Sequence, residues 1–148
     1  VFSTVTARQH RLVALGGLED GSGLVTVSYS YPNTRDVLMI HKFGPAGLEL
    51  VAQADLGWAR AQFLLTADLQ GDGRKEIVIG TENGWVLIFS SEGLFISERS
   101  FSELGGISHI IAGDINNDGK EELLVAQKDI PPSLYAVGVV ADPGPWKP

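Results

Sequence analysis

The sequence predicts an all-β protein assembled from repeats of one antiparallel unit. Three observations carry that expectation. The segment Asp114–Ala126 aligns without a gap on Asp68–Gly80, 46 residues upstream. Each copy is preceded by a short apolar run, Phe63–Ala67 or His109–Gly113, and followed by another, Ile77–Ile79 or Leu123–Val125. A worn third copy, Arg11–Val27, aligns on Phe63–Ile79 at a shift of 52, which sets Asp20-Gly21 on Asp72-Gly73. Short runs rich in Val, Ile, Leu and aromatic residues, bounded by Gly and Asn/Asp-Gly, read as strands rather than helices.

Taken in order, the first unit begins with a strand near Arg11 and a second ending near Val27. A longer connection around Ser30–Asp36 leads to Val37–His41, and Leu48–Val51 supplies a fourth, outer strand. The second unit repeats this with Phe63–Ala67, Ile77–Ile79, Trp85–Phe89 and Leu94–Ser97. Its Thr81–Gly84 connection carries Asn-Gly, which predicts a type I′ hairpin turn with positive φ at both central positions. The third unit has strands at 108–113, 122–126 and 134–140, the last after Pro131-Pro132, a pair that no central strand would carry.

Four antiparallel strands recurring at this period make a β-propeller-type blade. A sandwich of short strands is the competing architecture, but it predicts no ungapped repeat. The expected units are about 8–55, 56–103 and 104–142, with 143–148 as a tail and 1–7 as the outer strand of a preceding or partner blade. Propellers have typically 4–8 blades. About three blades therefore imply either a larger ring or completion by another chain as a homo-oligomer.

The totals exclude several function classes. With 148 residues the chain can bury one core, and a net charge of −7 argues against nucleic acid as a partner. There is no cysteine, so disulfides, thiolate zinc sites and a cysteine nucleophile are absent. No apolar run approaches the roughly 18 residues of a membrane span. The start at Val1, without Met or a basic-then-apolar leader, reads as a beginning inside a longer precursor.

The repeated loops carry the chemistry. Numbered from its first Asp, the later loop has Asp114, Asn116, Asp118 and Glu122 at positions 1, 3, 5 and 9, with Gly119 at 6. The earlier loop has Asp68, Gln70, Asp72, Glu76 and Gly73 at the same places. Alternate residues of a tight loop can aim their oxygens at one centre, and the carbonyl of position 7 (Arg74 or Lys120) can add another. This all-oxygen set suits Ca²⁺, which takes 6–8 oxygens at about 2.3–2.6 Å. An EF-hand is excluded at position 12, where Ile79 and Val125 replace the required Glu. The bland alternative, a turn-forming Asp-Gly without metal, fits the first unit, which keeps Asp20-Gly21 but has Gly16, Leu18 and Leu24 at positions 1, 3 and 9.

The two loops resemble the calcium loops of FG-GAP/VCBS-type repeats, the blades of integrin-α-like propellers. The resemblance spans three units, but Gly80-Thr-Glu and Ala126-Gln-Lys replace the Gly-Ala-Pro that follows the strand in FG-GAP repeats, and the Phe-Gly before the loop is missing. It therefore points to the looser VCBS-like group and does not transfer integrin-type ligand binding. It implies two structural calcium sites, and a place outside the cell or on its surface, where free calcium is high.

No catalytic residues are expected. His10, His41 and His109 fall at unrelated points of the unit, and no nucleophile or phosphate-loop motif occurs. The leading expectation is a non-enzymatic, calcium-stabilised propeller module that binds a protein or a glycan, with Trp58 and Arg60 in the Gly57–Arg60 loop as contact candidates. Trp58 packed between blades is the alternative there. Two other functions compete: the propeller of a carbohydrate-active enzyme such as a polysaccharide lyase, and an intracellular scaffold subunit.

Overall fold

The computed structural model describes residues 15–17, 23–30, 35–101, 106–127 and 134–137. Among them the fold is all-β, without helices. Strands β1 (Leu15–Gly17), β2 (Gly23–Ser30), β3 (Arg35–Gly44) and β4 (Gly47–Asp55) form a four-stranded sheet in that order. A second four-stranded sheet has β5 (Ala61–Ala67), β6 (Glu76–Thr81), β7 (Trp85–Phe89) and β8 (Phe95–Ser100), again in sequence order. The third contains β9 (Ile107–Gly113), β10 (Glu122–Gln127) and β11 (Leu134–Val137), with β10 central. Every pairing is antiparallel. The first strands of the sheets are neighbours, β5 lying against both β1 and β9, so the three blades follow one another as an open array.

The repeat is visible in the register. Ala67 pairs with Glu76 and Gly113 with Glu122, which are equivalent positions at the 46-residue shift. The first unit departs from it. Gly17 pairs with Leu24, so its connection, 18–23, is shorter than 68–75 or 114–121. The ungapped alignment of the first unit therefore fails in register, and Asp20-Gly21 lies outside the described residues. So do 1–14, which held the expected extra strand, and 138–148, which held the tail.

The Asn83-Gly84 turn also differs from expectation. Gly84 has φ 84°, whereas Asn83 is not among the positive-φ residues, so the turn is not type I′. Gly84 N–H bonds to the Thr81 carbonyl at 3.1 Å, and the Thr81 hydroxyl receives Trp85 N–H at 2.9 Å and donates to Asn83 Oδ1 at 2.8 Å. The buried Thr81 side chain closes a wider turn, so one left-handed residue suffices where two were expected.

Two cores hold the blades together. Val25, Val27, Leu38 and Ile40 of the first sheet pack on Ile77, Ile79, Leu87 and Phe89 of the second. The opposite face of the second sheet, with Val78, Val86 and Ile88, packs on Ile107, Ile110, Leu123 and Val125 of the third. The second sheet is apolar on both faces because it is sandwiched, which is why β6 is buried along its whole length. Gly80 marks a close approach of the second and third sheets. A Cβ there would come within 2.5 Å of Ile110 Cδ1 and 3.1 Å of Phe63 Cδ2. Gly80→Val is expected to lower stability by about 1–3 kcal/mol through overpacking, read as the midpoint of chemical denaturation. A stability equal to the parent's would show that this blade interface is loose.

Asp36 ties the first blade to the second. It is 6% exposed; its Oδ2 accepts Ala61 N–H at 2.7 Å, and its carbonyl accepts Leu56 N–H at 2.9 Å. One buried acid thus fixes the start of β5 and, with it, the loop that follows.

Candidate metal centre

Each loop is a hairpin connection in which side chains replace the missing ladder bonds. In the earlier one, Asp68 Oδ1 accepts the N–H groups of Gly71 (2.7 Å) and Asp72 (3.2 Å), and Oδ2 accepts that of Gly73 (2.9 Å). The later loop repeats two of these three bonds. Asp114 Oδ1 accepts Asp118 N–H at 3.1 Å and Oδ2 accepts Gly119 N–H at 2.9 Å. Position 5 caps position 7 in both: Arg74 N–H to Asp72 Oδ1, and Lys120 N–H to Asp118 Oδ1, each 2.9 Å. Position 9 receives the amide of position 2, Leu69 to Glu76 Oε2 and Ile115 to Glu122 Oε2, again at 2.9 Å.

The backbones match as well. Positions 4 and 6 are left-handed in both loops, Gly71 and Gly73 at φ 70° and 84°, Asn117 and Gly119 at 60° and 87°. Asn and Gly are the residues that take this conformation at low cost. Position 6 was legible in the sequence. The requirement at position 4 was missed, although the Gly/Asn pair at that place was its signal.

The polar side chains converge on amide nitrogens. Asn116 Nδ2 donates to Asp118 Oδ2 at 3.0 Å and to Glu122 Oε1 at 3.2 Å. Gln70 Nε2 donates to Glu76 Oε1 at 2.9 Å. In the later loop two carboxylates thus face one point, occupied by the partial positive charge of a carboxamide. Among the described residues no three His, Cys, Asp or Glu side chains gather closely enough to hold an ion by themselves. The donor set fits a hard cation if amide and main-chain oxygens join the carboxylates, as Ca²⁺ permits. It does not fit a thiolate or imidazole metal. Ile79 and Val125, at position 12, are fully buried, which removes the EF-hand geometry.

The loops differ in depth. Glu76 is 4% exposed whereas Glu122 is half-buried, because the third blade covers the second. Burial raises the Glu76 carboxyl above its ordinary 4.5, against the lowering effect of Leu69 N–H and Gln70, and the Asp72 charge adds to the rise. A folded pKa above the unfolded one means that the folded chain binds the proton more tightly. Without metal, this group's contribution to stability should fall as pH rises through the range just above 4.5. Glu76→Gln should remove that dependence, so the difference between chelated melts of parent and variant across pH 4–7 isolates it. Identical slopes would contradict it.

Trp58 and Arg60 fall apart. Asp55 Oδ1 accepts Gly57 N–H at 2.7 Å, Gly57 has φ 63°, and the resulting turn leaves Trp58 61% exposed. The Trp58 ring meets Trp85 edge-on, centroids 5.4 Å apart, so it is neither free in solvent nor buried between blades. It edges a groove of about 350 Å³ between the first two sheets, with Leu56, Leu94, Phe95 and Glu98. Arg60 is exposed and does not line that groove. Neither His41, beside Thr26, nor His109, beside Phe63, stands in either candidate loop, and His10 lies outside the described residues.

Comparison with known proteins follows the same boundaries. A search of curated proteins returns no match to the chain. No helix among the described residues is long and apolar enough to cross a membrane. Residues 68–125 match the family model of the FG-GAP-like repeat, a span that runs from the first acid of the earlier loop through the later loop to β10. The segment that carries both loops is thus similar to an FG-GAP-type repeat, and the antiparallel sheets are compatible with partial propeller blades.

Proposed function

We propose that the chain is a calcium-stabilised, non-enzymatic propeller module for binding a protein or glycan, with one structural Ca²⁺ in each loop. The observation that carries this reading is the set of hydrogen bonds the two loops share: positions 5 and 6 to the first Asp, position 7 to position 5, position 2 to the closing Glu, and the carboxamide nitrogen set against that Glu. The cation would be held by Asp68, Asp72 and Glu76, with the Gln70 and Arg74 oxygens, and by Asp114, Asp118 and Glu122, with the Asn116 and Lys120 oxygens. It would neutralise clustered carboxylates and tie β5 to β6 and β9 to β10. The reading places the module outside the cell or on its surface, where free calcium suits loops of this kind.

Limited proteolysis tests it. Arg74 and Lys120 are exposed at position 7 of each loop and are tryptic sites. Calcium should slow cleavage after both, and chelator should restore it. Cleavage at the same rate in both conditions would overturn the structural-metal reading.

A second observation supports assembly or further blades. Leu69 is fully buried by the third blade, while its repeat equivalent Ile115 is 54% exposed, with Ile111 beside it at 59%. The third blade thus offers the face that the second one buries. We propose that another blade, from a longer chain or a second copy, covers it. Light scattering on the 15.8 kDa chain should show an oligomer if a second copy does so; a monomer leaves the longer chain as the source.

A further inference from the structure

The two loops touch, and through a residue that neither metal set uses. Asp68 N–H donates to Glu121 Oε2 at 2.6 Å, and Glu121 N–H returns to the Asp68 carbonyl at 2.8 Å. Asp68 is position 1 of the earlier loop, and Glu121 is position 8 of the later one. The approach is close around this pair: a Cβ at Gly71 would lie 2.8 Å from Lys120 Cγ and 3.0 Å from the Gly119 carbonyl oxygen. Gly71 therefore both takes the left-handed turn and makes room for the neighbouring loop. In the earlier loop position 8 is Lys75, so nothing in the repeat itself demands an acid there.

We infer that Glu121 couples the two cation sites, so that they fill with positive cooperativity; this rests on the calcium reading given above. Ordering of loop 114–122 around an ion fixes the chain at Glu122, and with it the adjoining Glu121. Glu121 then fixes the backbone of Asp68, so less conformational freedom remains to be lost when loop 68–76 binds. An ion in the later loop also offsets the charge that Glu121 brings beside Asp68. Coupling of this kind is reciprocal: each site raises the affinity of the other by the same factor. Glu121 is a positioning residue, not a ligand.

The test is a calcium titration of the full chain by calorimetry, in parent, Asp118→Ala, Glu121→Ala and the double variant. Asp118→Ala disables the later loop. The remaining site is expected to bind about 5-fold or more weakly than in the parent. Glu121→Ala should keep two sites but make them independent, and the double variant should bind no more weakly than Glu121→Ala does at the earlier loop. Glu121→Gln, which keeps an acceptor oxygen for Asp68 N–H, should retain most of the coupling. Unchanged affinity of the earlier loop in Asp118→Ala, or cooperativity that survives Glu121→Ala, overturns the inference while leaving the calcium reading intact. No binding in the parent overturns both. Circular dichroism of each variant in calcium confirms that a lost signal is not a lost fold.

Discussion

Saturating calcium is expected to raise the melting temperature of the chelated chain by about 10–20 °C. The magnitude follows from linkage. A ligand at 100 times its dissociation constant stabilises the folded state by about 2.7 kcal/mol per site, and two sites are proposed. In a domain of this size each kcal/mol shifts the midpoint by about 2–4 °C. The effect should be large because, without an ion, Asp118 and Glu122 face each other across a carboxamide, and Glu76 is buried next to Asp72. Magnesium should do much less, since its near-octahedral shell at about 2.1 Å suits this ligand set poorly. Differential scanning calorimetry with calcium, magnesium and chelator checks both statements. Equal midpoints in calcium and chelator would contradict the structural role.

The second large effect separates two equivalent residues. Leu69→Ala is expected to cost about 2–5 kcal/mol, because Leu69 is fully buried between the second and third blades. Ile115→Ala at the same loop position should cost under about 0.5 kcal/mol in an isolated chain, because Ile115 is 54% exposed. Urea denaturation of both variants measures the contrast. A cost at Ile115 that approaches the cost at Leu69, and that grows with protein concentration, is the result expected if a second copy covers the third blade. A small cost at Leu69 would instead contradict the packing of the third blade on the second.

How much was legible in the sequence varies with the distance over which each feature is decided. The hairpins of the second and third units were readable because alternation and turn residues are local: Trp85–Phe89 is β7 without change, and β11 (Leu134–Val137) begins the strand expected at 134–140, the rest of which lies outside the described residues. The turn type at Asn83-Gly84 was not, because the buried Thr81 hydroxyl bridges to Trp85 and changes what the turn requires. The first unit's register was misjudged because Asp20-Gly21 is a weak marker that fits several loop lengths, whereas pairing is set by which residues of β2 face the core. Within the candidate site, positions 1, 3, 5, 6 and 9 stood out because two copies shared them. Position 8 did not, because Glu121 acts across the blade boundary and has no repeated counterpart. Trp58 illustrates the same limit. Its exposure depends on the Asp55–Gly57 turn and its edge contact on Trp85, and neither is encoded in the Gly57–Arg60 segment alone.

The partner proposed for the chain is the part least constrained by local pattern. The groove beside Trp58 and the exposed face at Ile111 and Ile115 are both products of how the sheets are stacked. The groove sets Asp55 and Glu98 among apolar residues, and Ile115 stands beside Asp114, so both surfaces disfavour a nucleic acid or any strongly anionic partner.

The most direct measurement is the number of calcium ions held per folded chain, counted by native mass spectrometry. The proposal predicts two for the parent, one for Asp72→Ala and for Asp118→Ala, and none for the double variant, with no comparable retention of magnesium. A parent chain that retains no calcium, or counts that do not follow the loop substitutions, would contradict it.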